Sequence, residues 1–350
     1  MKEIRFATRV VVWQKRHGRH DLPWQNTRDP YRIWLSEIML QQTQVATVIP
    51  YFARFLAKFP TLRDLANASE DEVLALWSGL GYYSRGRNLL RAAQIVAENF
   101  FGEFPKALSD ILSLPGVGQS TAAAISAFAF GERQAILDGN VKRVFARHFG
   151  IAGFPGAKKV ESKLWDVAND VLPNQNIEAY TQGLMDLGAT VCLRSRPLCL
   201  ACPVEATCVA KRDSRIQELP SPRPKKVVPE KSTTMLIIAH AGEVLLEKRP
   251  PTGVWAGMWC FPEMPNVGSA RDTCRERFGL ETHLPKPWEV LEHGFTHFKL
   301  SITPQPVEVK KKLSRATEPG VMWLSIADAL IAAIPQPVRI LLTKLDEQKT

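Results

Sequence analysis

The sequence lacks any long apolar run. Its apolar stretches fall well short of the roughly 18 consecutive residues that a membrane-spanning helix needs. The first residues, M-K-E-I-R-F-A-T-R-V-V-V-W, contain too short an apolar segment and too many charges for a secretory signal peptide. Internal repeats and low-complexity tracts are also missing. These absences argue against a membrane protein, and we expect a cytoplasmic one.

Acidic residues are scarce relative to basic ones. The 350 residues include 45 Lys and Arg but only 35 Asp and Glu, which gives a formal net charge of +10. No long Lys/Arg tail accounts for the excess, so the folded part of the chain must itself be basic. A polyanionic partner such as nucleic acid explains such a surface, and a charged solubilising surface is the alternative. The length leaves room for two domains of ordinary size.

Cysteine is sparse and clustered. Four of the six cysteines share one short stretch with the spacing C-x6-C-x2-C-x5-C, namely Cys192, Cys199, Cys202 and Cys208. In a reducing compartment such a cluster indicates a metal site rather than disulfides. Zinc held by four thiolates and an iron–sulfur cluster are the two alternatives. Cys260 and Cys274 lie outside the pattern and are expected in the core.

The chain is organised around residues 111–140. The segment Leu114-Pro-Gly-Val-Gly118 cannot continue a helix, because proline removes a backbone donor and the glycines permit positive φ, whereas Ser120 to Phe130 looks helical. A helix–hairpin–helix is therefore predicted. Its glycine turn lets backbone amides approach a phosphate oxygen, so Leu114, Gly116 and Gly118 are candidate DNA contacts. A plain corner between two helices is the alternative.

Two carboxylates stand out, one close behind the hairpin and one far ahead of it in the sequence. Asp138 lies in an Asp-Gly-Asn sequence just before a helical run, where the ordinary interpretation is a helix cap or a turn. Asp29-Pro30 predicts the start of another helix, and Glu37 lies at the edge of its apolar stripe. A carboxylate there is either a solvated surface group or faces a half-dry cleft that raises its pKa.

Aromatic and basic residues occur together in the glycine-rich segment 79–87. Tyr82, Arg85 and Arg87 suit stacking on bases and pairing with phosphates. Core aromatics with two surface arginines are an equally good interpretation of this segment alone.

The hydrophobic period changes at a linker. The stretch at about 218–232 is rich in Pro, Lys and Arg without apolar periodicity. Residues 1–217 before it show helical patterns, whereas 233–350 after it show strand alternation with helices near 269–278 and 337–346. We therefore predict a multidomain fold with an all-α domain followed by an α+β domain.

These motifs together resemble the helix–hairpin–helix DNA glycosylases of the endonuclease III type, and among them the MutY family of adenine DNA glycosylases. Ser120 stands where bifunctional members carry a Schiff-base lysine. The run W-L-S-E-I-M-L-Q-Q-T-Q places Glu37 where the MutY family keeps its catalytic acid. The C-terminal part is similar to the family's Nudix-like domain, so the resemblance covers essentially the whole chain.

The resemblance implies an architecture and a cofactor. Residues 1–217 would be the glycosylase domain, with a six-helix barrel at about 22–133 and an iron–sulfur subdomain made of 1–21 and 134–217. The four clustered cysteines would hold a [4Fe–4S] cluster, and Arg194 and Arg196 in their loop would meet phosphates. Residues 233–350 would recognise 8-oxoguanine. The implied setting is the bacterial cytoplasm, at the nucleoid, as a monomer.

The resemblance also implies a reaction, the removal of adenine opposite 8-oxoguanine or guanine in double-stranded DNA. Cleavage of the N-glycosidic bond needs a proton for the departing base and stabilisation of an oxocarbenium-like sugar. Glu37 would protonate adenine, Asp138 would stabilise or trap C1′, and Asn140 would fix Asp138. Gln42 would fill the space that the flipped base leaves. Because a hydroxyl cannot form an imine, Ser120 implies a monofunctional enzyme.

Further contacts follow from the same resemblance. It assigns Trp24 and Gln182 to the substrate pocket and Tyr82 to wedging beside the lesion, and it assigns 8-oxoguanine reading to Phe295, Thr296 and His297. The Trp24-Gln25 pair is Trp-Arg in other members, so a basic contribution to the pocket is in doubt here.

Rival functions can be weighed from the sequence. The Nudix hydrolase signature R-E-x-x-E-E-x-G becomes D-T-C-R-E-R-F-G, which keeps only Glu276 and places Arg277 at the other metal-binding position, so pyrophosphate hydrolysis is not expected. A bifunctional oxidised-pyrimidine glycosylase/AP lyase is disfavoured by Ser120 and by the extra domain. A non-catalytic DNA-binding protein is disfavoured by Glu37 together with Asp138.

Overall fold

The structure is a computed structural model that describes residues 2–224, 227–264, 269–313 and 319–348. These residues form two compact units. The helical unit contains the described residues up to Ala66 and those from Arg91 to Pro224; the sheet unit contains Asn67–Leu90 and the described residues from Val227 onward. Across the described ranges, no helix combines the length and apolar character needed to cross a bilayer.

The part of the chain before the first strand is helical. Its α-helices are α1 (Lys2–His17), α2 (Pro30–Leu40), α3 (Val45–Lys58), α4 (Leu62–Ala66), α5 (Glu70–Trp77), α6 (Ser84–Asn99), α7 (Leu108–Ser113), α8 (Gln119–Phe130), α9 (Gly139–His148), α10 (Lys158–Asp170), α11 (Ile177–Asp186) and α12 (Val209–Arg212). A π-helical segment (Leu187–Val191) follows α11, and short 3₁₀ turns occupy Cys199–Ala201 and Glu205–Thr207. Helix α5 and the first turns of α6 fall in the sheet unit.

Local sequence signals explain several helix boundaries. The Asp29 side chain accepts a hydrogen bond from Tyr31 N and Pro30 occupies the first turn of α2, which confirms the predicted start of this helix. Helix α8 confirms the helical prediction for 120–130, and it ends at Gly131, whose φ of 69° suits glycine.

The core of the helical unit forms where α1 and α8 to α11 pack together. Phe6, Val10, Phe145, Leu164 and Leu184 are among its buried side chains. Helix α11 lies directly against α1 because Gly183 has no side chain: a Cβ there would come within 2.8 Å of Val10 Cγ1. This close approach places the ends of α1 and α11 beside one another.

The sheet unit contains a mixed sheet flanked by helices. Its strands are β1 (Glu230–His240), β2 (Glu243–Lys248), β3 (Trp259–Cys260), β4 (Leu280–His283), β5 (Leu291–Gly294), β6 (Lys299–Lys312) and β7 (Val321–Ser325), with helices α13 (Ala270–Phe278), α14 (Ile326–Ile331) and α15 (Gln336–Glu347). The order is β3-β2-β1-β6-β4, with β5 paired to β6 and β7 paired to β2. Strand β1 runs parallel to β6, and the other pairs are antiparallel.

The alternation of β1 explains the two layers of this unit. Met235 and Ile237 pack into one core, and Leu236 and Ile238 pack into another on the opposite face. The predicted α+β fold and both predicted C-terminal helices are confirmed. Strand β1 begins at Glu230, three residues before the predicted domain start at 233.

Residues 67–90 are tied to the sheet unit by polar as well as apolar contacts. Leu74 of α5 belongs to the first of its cores. Ser78 Oγ donates to the carbonyl of Ile334 at 2.6 Å and accepts from Arg339 Nη2 at 2.9 Å, and Arg87 Nη1 donates to the carbonyl of Ala256 at 2.7 Å. The segment that carries Tyr82 is therefore built into this unit, although the sequence suggested a place within the six-helix barrel.

Candidate functional site

A cavity of about 470 Å³ opens in the helical unit between the loop after α1, helix α2 and helix α11. Three of the predicted site residues line it together: Trp24, Glu37 and Gln182. Trp24 is held edge-on against Phe52, with ring centroids 5.4 Å apart. Leu40, Val45 and Met185 add apolar surface, so the cavity combines apolar walls with polar side chains and has room for a small organic group.

Glu37 faces this cavity from the third turn of α2, with buried neighbours on both sides in the sequence. Burial, and to a smaller extent the nearby negative charge of Asp138, together raise the pKa of this carboxyl to about 8. Glu37 is therefore largely protonated at neutral pH and can donate a proton.

Asp138 is the N-cap of α9. Its Oδ1 accepts a hydrogen bond from Val141 N at 2.7 Å, and Asn140 Nδ2 lies 3.5 Å from Oδ2. Burial raises its pKa, whereas the Val141 and Asn140 hydrogen bonds and the positive charge of Arg143 lower it. The cap interpretation from sequence is thus correct, and the same hydrogen bonds hold the carboxylate in one orientation.

Arg143 was not singled out from the sequence, yet it orders this site. Its Nη2 donates to Asn140 Oδ1 at 2.9 Å and to the carbonyl of Gly188 at 2.6 Å. The π-helical segment comes this close because Gly188 has no side chain, since a Cβ there would lie 2.4 Å from Asn140 Cβ. The basic residues of α9 gave a signal, but nothing in their spacing showed which one turns inward.

The predicted hairpin joins α7 to α8. Gly116 adopts φ 81°, which favours glycine, and nothing lies within 4 Å of a Cβ placed on Gly118, so the turn is open to an approaching group. Leu114 is buried beneath it. Ser120 Oγ accepts a hydrogen bond from Leu137 N at 2.9 Å, which ties the first turn of α8 to the residue before Asp138.

Two glutamines after α2 behave differently. Gln41 Nε2 lies 3.2 Å from the carbonyl of Gly116 and 3.3 Å from Thr121 Oγ1, so it braces the hairpin, a role that the sequence did not suggest. Gln42 is exposed and adopts a positive φ of 58°. It is therefore accessible to a partner, as a residue that enters a base stack must be.

The four clustered cysteines line one small, apolar pocket in the helical unit, and all four are free thiols. The pocket walls include Val144, Leu187 and Pro197. Burial raises the pKa of Cys202 to about 11, which disfavours a thiolate unless a positive charge binds there. Considering described residues alone, no group of three or more His, Cys, Asp or Glu side chains is arranged to hold a metal ion.

Arg147 supports the loop that carries these cysteines. It is buried, and it donates to the carbonyls of Leu193, Arg194 and Leu219 at 2.6, 2.9 and 2.8 Å. Its Nη1 also lies 3.4 Å from Cys192 Sγ. Arg194 and Arg196 themselves are exposed, as phosphate contacts would have to be.

In the sheet unit, Tyr82 and Thr296 form a second candidate surface. Tyr82 adopts φ 47° and is 47% exposed, and its hydroxyl lies 3.3 Å from Thr296 Oγ1. Phe295 turns inward and stacks on Phe298 with centroids 4.3 Å apart, whereas Thr296 and His297 are exposed. Phe295 thus anchors the loop and leaves its two neighbours to face a partner.

Arg85 and Arg87 both bind backbone carbonyls within the sheet unit. Arg85 is buried, and its Nη2 donates to the carbonyls of Leu80 and Gly81 at 3.2 and 3.1 Å. Arg87 binds the carbonyl of Ala256, as described above. Tyr82 is exposed, whereas both arginines bind backbone carbonyls and Arg85 is buried, so the expectation of two surface arginines is wrong for Arg85.

The degenerate hydrolase signature lies on α13. Arg277 Nη2 forms an ion pair with Glu247 Oε1 at 2.6 Å, and Glu276 is exposed. Arg277 stands where the signature needs a metal-binding glutamate. Its guanidinium group pairs with the carboxylate of Glu247.

Comparisons with known proteins agree with both units. Residues 35–170 match the HhH-GPD superfamily of base excision DNA repair proteins, and residues 233–344 match the NUDIX domain family. A thermostable thymine-DNA glycosylase has a similar fold, with a TM-score of 0.56 and 30% identity over 61% of this chain and 97% of that one.

Full-length relatives cover both units at once. The chain is 36% identical to the adenine DNA glycosylase of Buchnera aphidicola from Acyrthosiphon pisum, over 98% of each protein. It is 33% identical to the human adenine DNA glycosylase, over 94% of this chain and 72% of the human protein.

Proposed function

The chain belongs to the MutY family of adenine DNA glycosylases, hydrolases of base excision repair, and from this premise we propose that it removes adenine paired with 8-oxoguanine or guanine in double-stranded DNA. The observation that carries the proposed mechanism is the placement of Glu37, a buried carboxyl with a raised pKa, on a cavity wall and close enough to Asp138 for the two charges to interact. A proton donor and a carboxylate are what hydrolysis of an N-glycosidic bond requires.

Glu37 acts as the general acid. Adenine leaves poorly as an anion, and protonation of the ring, at N7, turns it into a neutral leaving group. A carboxyl with a pKa near 8 carries its proton at the pH of the cell and is not so weak an acid that transfer fails. Glu37 lines a cavity inside the protein that a base stacked in the duplex cannot enter, so the adenine must flip out into the cavity that Trp24 and Gln182 also line.

Asp138 stabilises the positive charge that develops at C1′. The Val141 amide and Asn140 fix the carboxylate, and Arg143 in turn fixes Asn140. Fixed groups cost no reorganisation when the charge appears, which makes such stabilisation effective. Asp138 must be ionised for this role, whereas Glu37 must be protonated, so the two carboxyls work in different protonation states.

Release stops at an abasic site. Strand cleavage would need an amine that forms an imine with C1′. Ser120 supplies only a hydroxyl, which accepts a hydrogen bond from Leu137 N. We therefore propose a monofunctional enzyme.

DNA binding uses three surfaces. The open turn at Gly116 and Gly118 binds phosphate through backbone amides. Gln42 enters the space that the flipped adenine vacates. Tyr82 and Thr296, in contact with each other and exposed, meet the opposite base together with His297, so this loop reads 8-oxoguanine. The enzyme acts as a monomer at the bacterial nucleoid.

The cysteine pocket holds a [4Fe–4S] cluster. Four free thiols converge on it, the walls are apolar, and Arg147 offers a positive charge beside Cys192, all of which fit an anionic thiolate-ligated group. Cys192, Cys199, Cys202 and Cys208 would hold this cluster as thiolates, and the cluster would supply structural order to their loop. Its contribution is to order the loop of Arg194 and Arg196.

Single-turnover cleavage of labelled duplexes tests this function. We expect strand nicking at adenine opposite 8-oxoguanine or guanine only after alkali treatment, and none with Glu37→Gln. Alkali-independent nicking opposite an oxidised pyrimidine would instead establish the bifunctional rival. DNA binding without any product would establish the non-catalytic one.

A further inference from the structure

Asp186 is a fully buried carboxylate that sits behind the cavity without lining it. It is the last residue of helix α11, and residues from two walls of the cavity donate hydrogen bonds to its oxygens. From one wall, the backbone N of Arg19 donates to Oδ2 at 2.9 Å and Arg19 Nε donates to Oδ1 at 2.7 Å. From the other, Gln182 Nε2 donates to Oδ1 at 2.8 Å. No step of the mechanism above uses this residue.

The contact with Asp186 decides which way the Gln182 amide points. A carboxylate only accepts hydrogen bonds, so the part of the amide that faces it must be the NH₂ group. The carbonyl oxygen of Gln182 is then the group left for the cavity. An amide alone could turn either way, whereas one held by a buried carboxylate has a single favourable orientation.

The same carboxylate fixes the loop that forms the opposite wall. The carbonyl of Arg19 accepts from Gln25 Nε2 at 3.0 Å, and Gln25 Oε1 accepts from Leu22 N at 3.0 Å. Both ends of the Gln25 amide are thus used within the loop that carries Trp24. Gln25 therefore stiffens this loop.

We propose that Asp186 is a positioning residue for base selection, which holds Gln182 so that an acceptor faces the flipped base. This inference rests on the proposed function, in which adenine is the substrate. Adenine presents an exocyclic amino group that can donate to such an acceptor. Hypoxanthine and guanine present a carbonyl oxygen at the same ring position, where two acceptors would meet. Unsubstituted purine presents only hydrogen and loses the contact.

Asp186→Asn tests the inference, because asparagine can donate to Gln182 and so allows the amide to turn. Single-turnover rates are compared for adenine and unsubstituted purine, each opposite 8-oxoguanine. The ratio of the two rates, taken relative to the ratio in the wild type, removes the difference in leaving ability between the bases. We expect that ratio to fall about three- to tenfold, the loss of one hydrogen bond. A purely structural role would lower both rates equally.

A rescue variant separates orientation from packing. In Asp186→Asn/Gln182→Glu, the glutamate can only accept, so an acceptor faces the cavity again while asparagine donates to its other oxygen. The adenine-to-purine ratio should return to within about threefold of the wild type. Gln182→Met, which keeps the size but removes the acceptor, should lower the ratio as Asp186→Asn does. An unchanged ratio in Gln182→Met or in Asp186→Asn overturns the inference.

The outcome remains decisive even if Asp186→Asn does not fold. In the folded wild type, the side-chain NH₂ of Gln182, observed by ¹⁵N NMR, should exchange slowly with water because Asp186 holds it, and fast exchange would refute the inference. If the wild type removes adenine but these tests fail, only the role of Asp186 is lost. If the wild type does not release adenine at all, the proposed function itself fails.

Discussion

Arg143 donates from Nε to the backbone carbonyl of Cys192 at 2.8 Å while its Nη2 binds the Asn140 side chain. One planar guanidinium group thus touches both the residue that orients Asp138 and the first residue of the cysteine pattern. The Asp-Gly-Asn motif and the cysteine motif are therefore joined by a single side chain. Changes in the cysteine loop should reach the Asp138 carboxylate through it.

Arg143→Lys should lower the single-turnover rate of adenine release by about 10- to 100-fold. Lysine keeps the positive charge but cannot bind Asn140, Gly188 and Cys192 at once, because it lacks the forked donors of arginine. The loss should appear at saturating enzyme, which shows that DNA binding does not cause it.

Arg133→Lys is the matched control for this variant. Arg133 also donates to two backbone carbonyls, those of Leu172 and Pro173, but it contacts neither Asn140 nor a cysteine of the pattern. Its replacement should leave the rate within about twofold of the wild type. Equal losses in the two variants would mean that Arg143 acts only through general stability.

The rate of adenine release should fall as pH rises through about 8. Glu37 has a pKa near that value, and only its protonated form can donate, so above the pKa the rate should drop about tenfold per pH unit. On the acid side, the rate should fall as Asp138 becomes protonated, at a pH above the usual range because burial raises its pKa. A rate that stays flat between pH 7 and 9.5 would contradict the role of Glu37.

Glu37→Gln should be inactive yet more stable than the wild type at high pH. Because the pKa of Glu37 is raised in the folded state, the folded protein holds this proton more tightly than the unfolded chain, and stability is lost as pH rises from about 4.5 to about 8. Glutamine removes that loss, about 1–2 kcal/mol after allowance for screening by water in the open cavity. Thermal melts should show a higher Tm at pH 9, by about 2–8 °C, and no difference near pH 4.

Periodicity and turn chemistry predicted the helices that hold the candidate site. Pro30 after Asp29 predicted the start of α2, and the hairpin glycines predicted the break before α8, because these residues act on the backbone next to them. Glu37 was recognised as a carboxylate at the edge of an apolar stripe. Such signals are local, so a single sequence contains them in full.

Long-range side-chain hydrogen bonds could not be predicted in the same way. Arg143, Arg147 and Asp186 each bind backbone or side-chain groups at least 45 residues away in sequence, and a basic or acidic residue on a helix looks the same whether it turns inward or outward. The grouping of 67–90 with the sheet unit has the same cause, because it depends on Ser78 and Arg87 meeting carbonyls far along the chain.

Ser120→Lys should gain strand-cleaving activity that does not need alkali. The new amine would lie at the start of α8, near the residue before Asp138, where it can attack C1′. The variant also loses the hydrogen bond to Leu137 N, so Ser120→Ala is the control: it should release adenine with a modest loss and show no lyase activity. Trapping by borohydride should give a covalent protein–DNA adduct with the lysine variant alone, and its absence there would contradict the proposed geometry.

Purified protein should contain about four irons per chain with broad absorbance near 400 nm. Replacing Cys199 by serine should reduce the iron content and weaken DNA binding, because the loop of Arg194 and Arg196 loses its order. Cys274→Ala is the control, since Cys274 is buried in the sheet unit outside the pattern, and it should keep its iron. One zinc per chain without iron would show that the pocket binds a single ion instead.

Thr296→Val should reduce the preference for adenine opposite 8-oxoguanine over adenine opposite guanine. Valine keeps the shape of threonine but removes the hydroxyl that lies 3.3 Å from the Tyr82 hydroxyl, so a polar contact with the lesion and with Tyr82 is lost. The ratio of the two single-turnover rates should fall about three- to tenfold, as expected for one hydrogen bond. The rate opposite guanine should hardly change.

Thr343→Val provides the control for this loss. Thr343 is an exposed threonine of α15 whose hydroxyl donates to the carbonyl of Arg339, and its replacement should leave the ratio unchanged. Tyr82→Phe removes the other hydroxyl of the pair and keeps the ring. If the ring alone wedges into the stack, Tyr82→Phe should retain DNA binding but lose part of the same preference. A preference for 8-oxoguanine that survives both Thr296→Val and Tyr82→Phe would place the reading of the lesion elsewhere, with His297 as the next residue to replace.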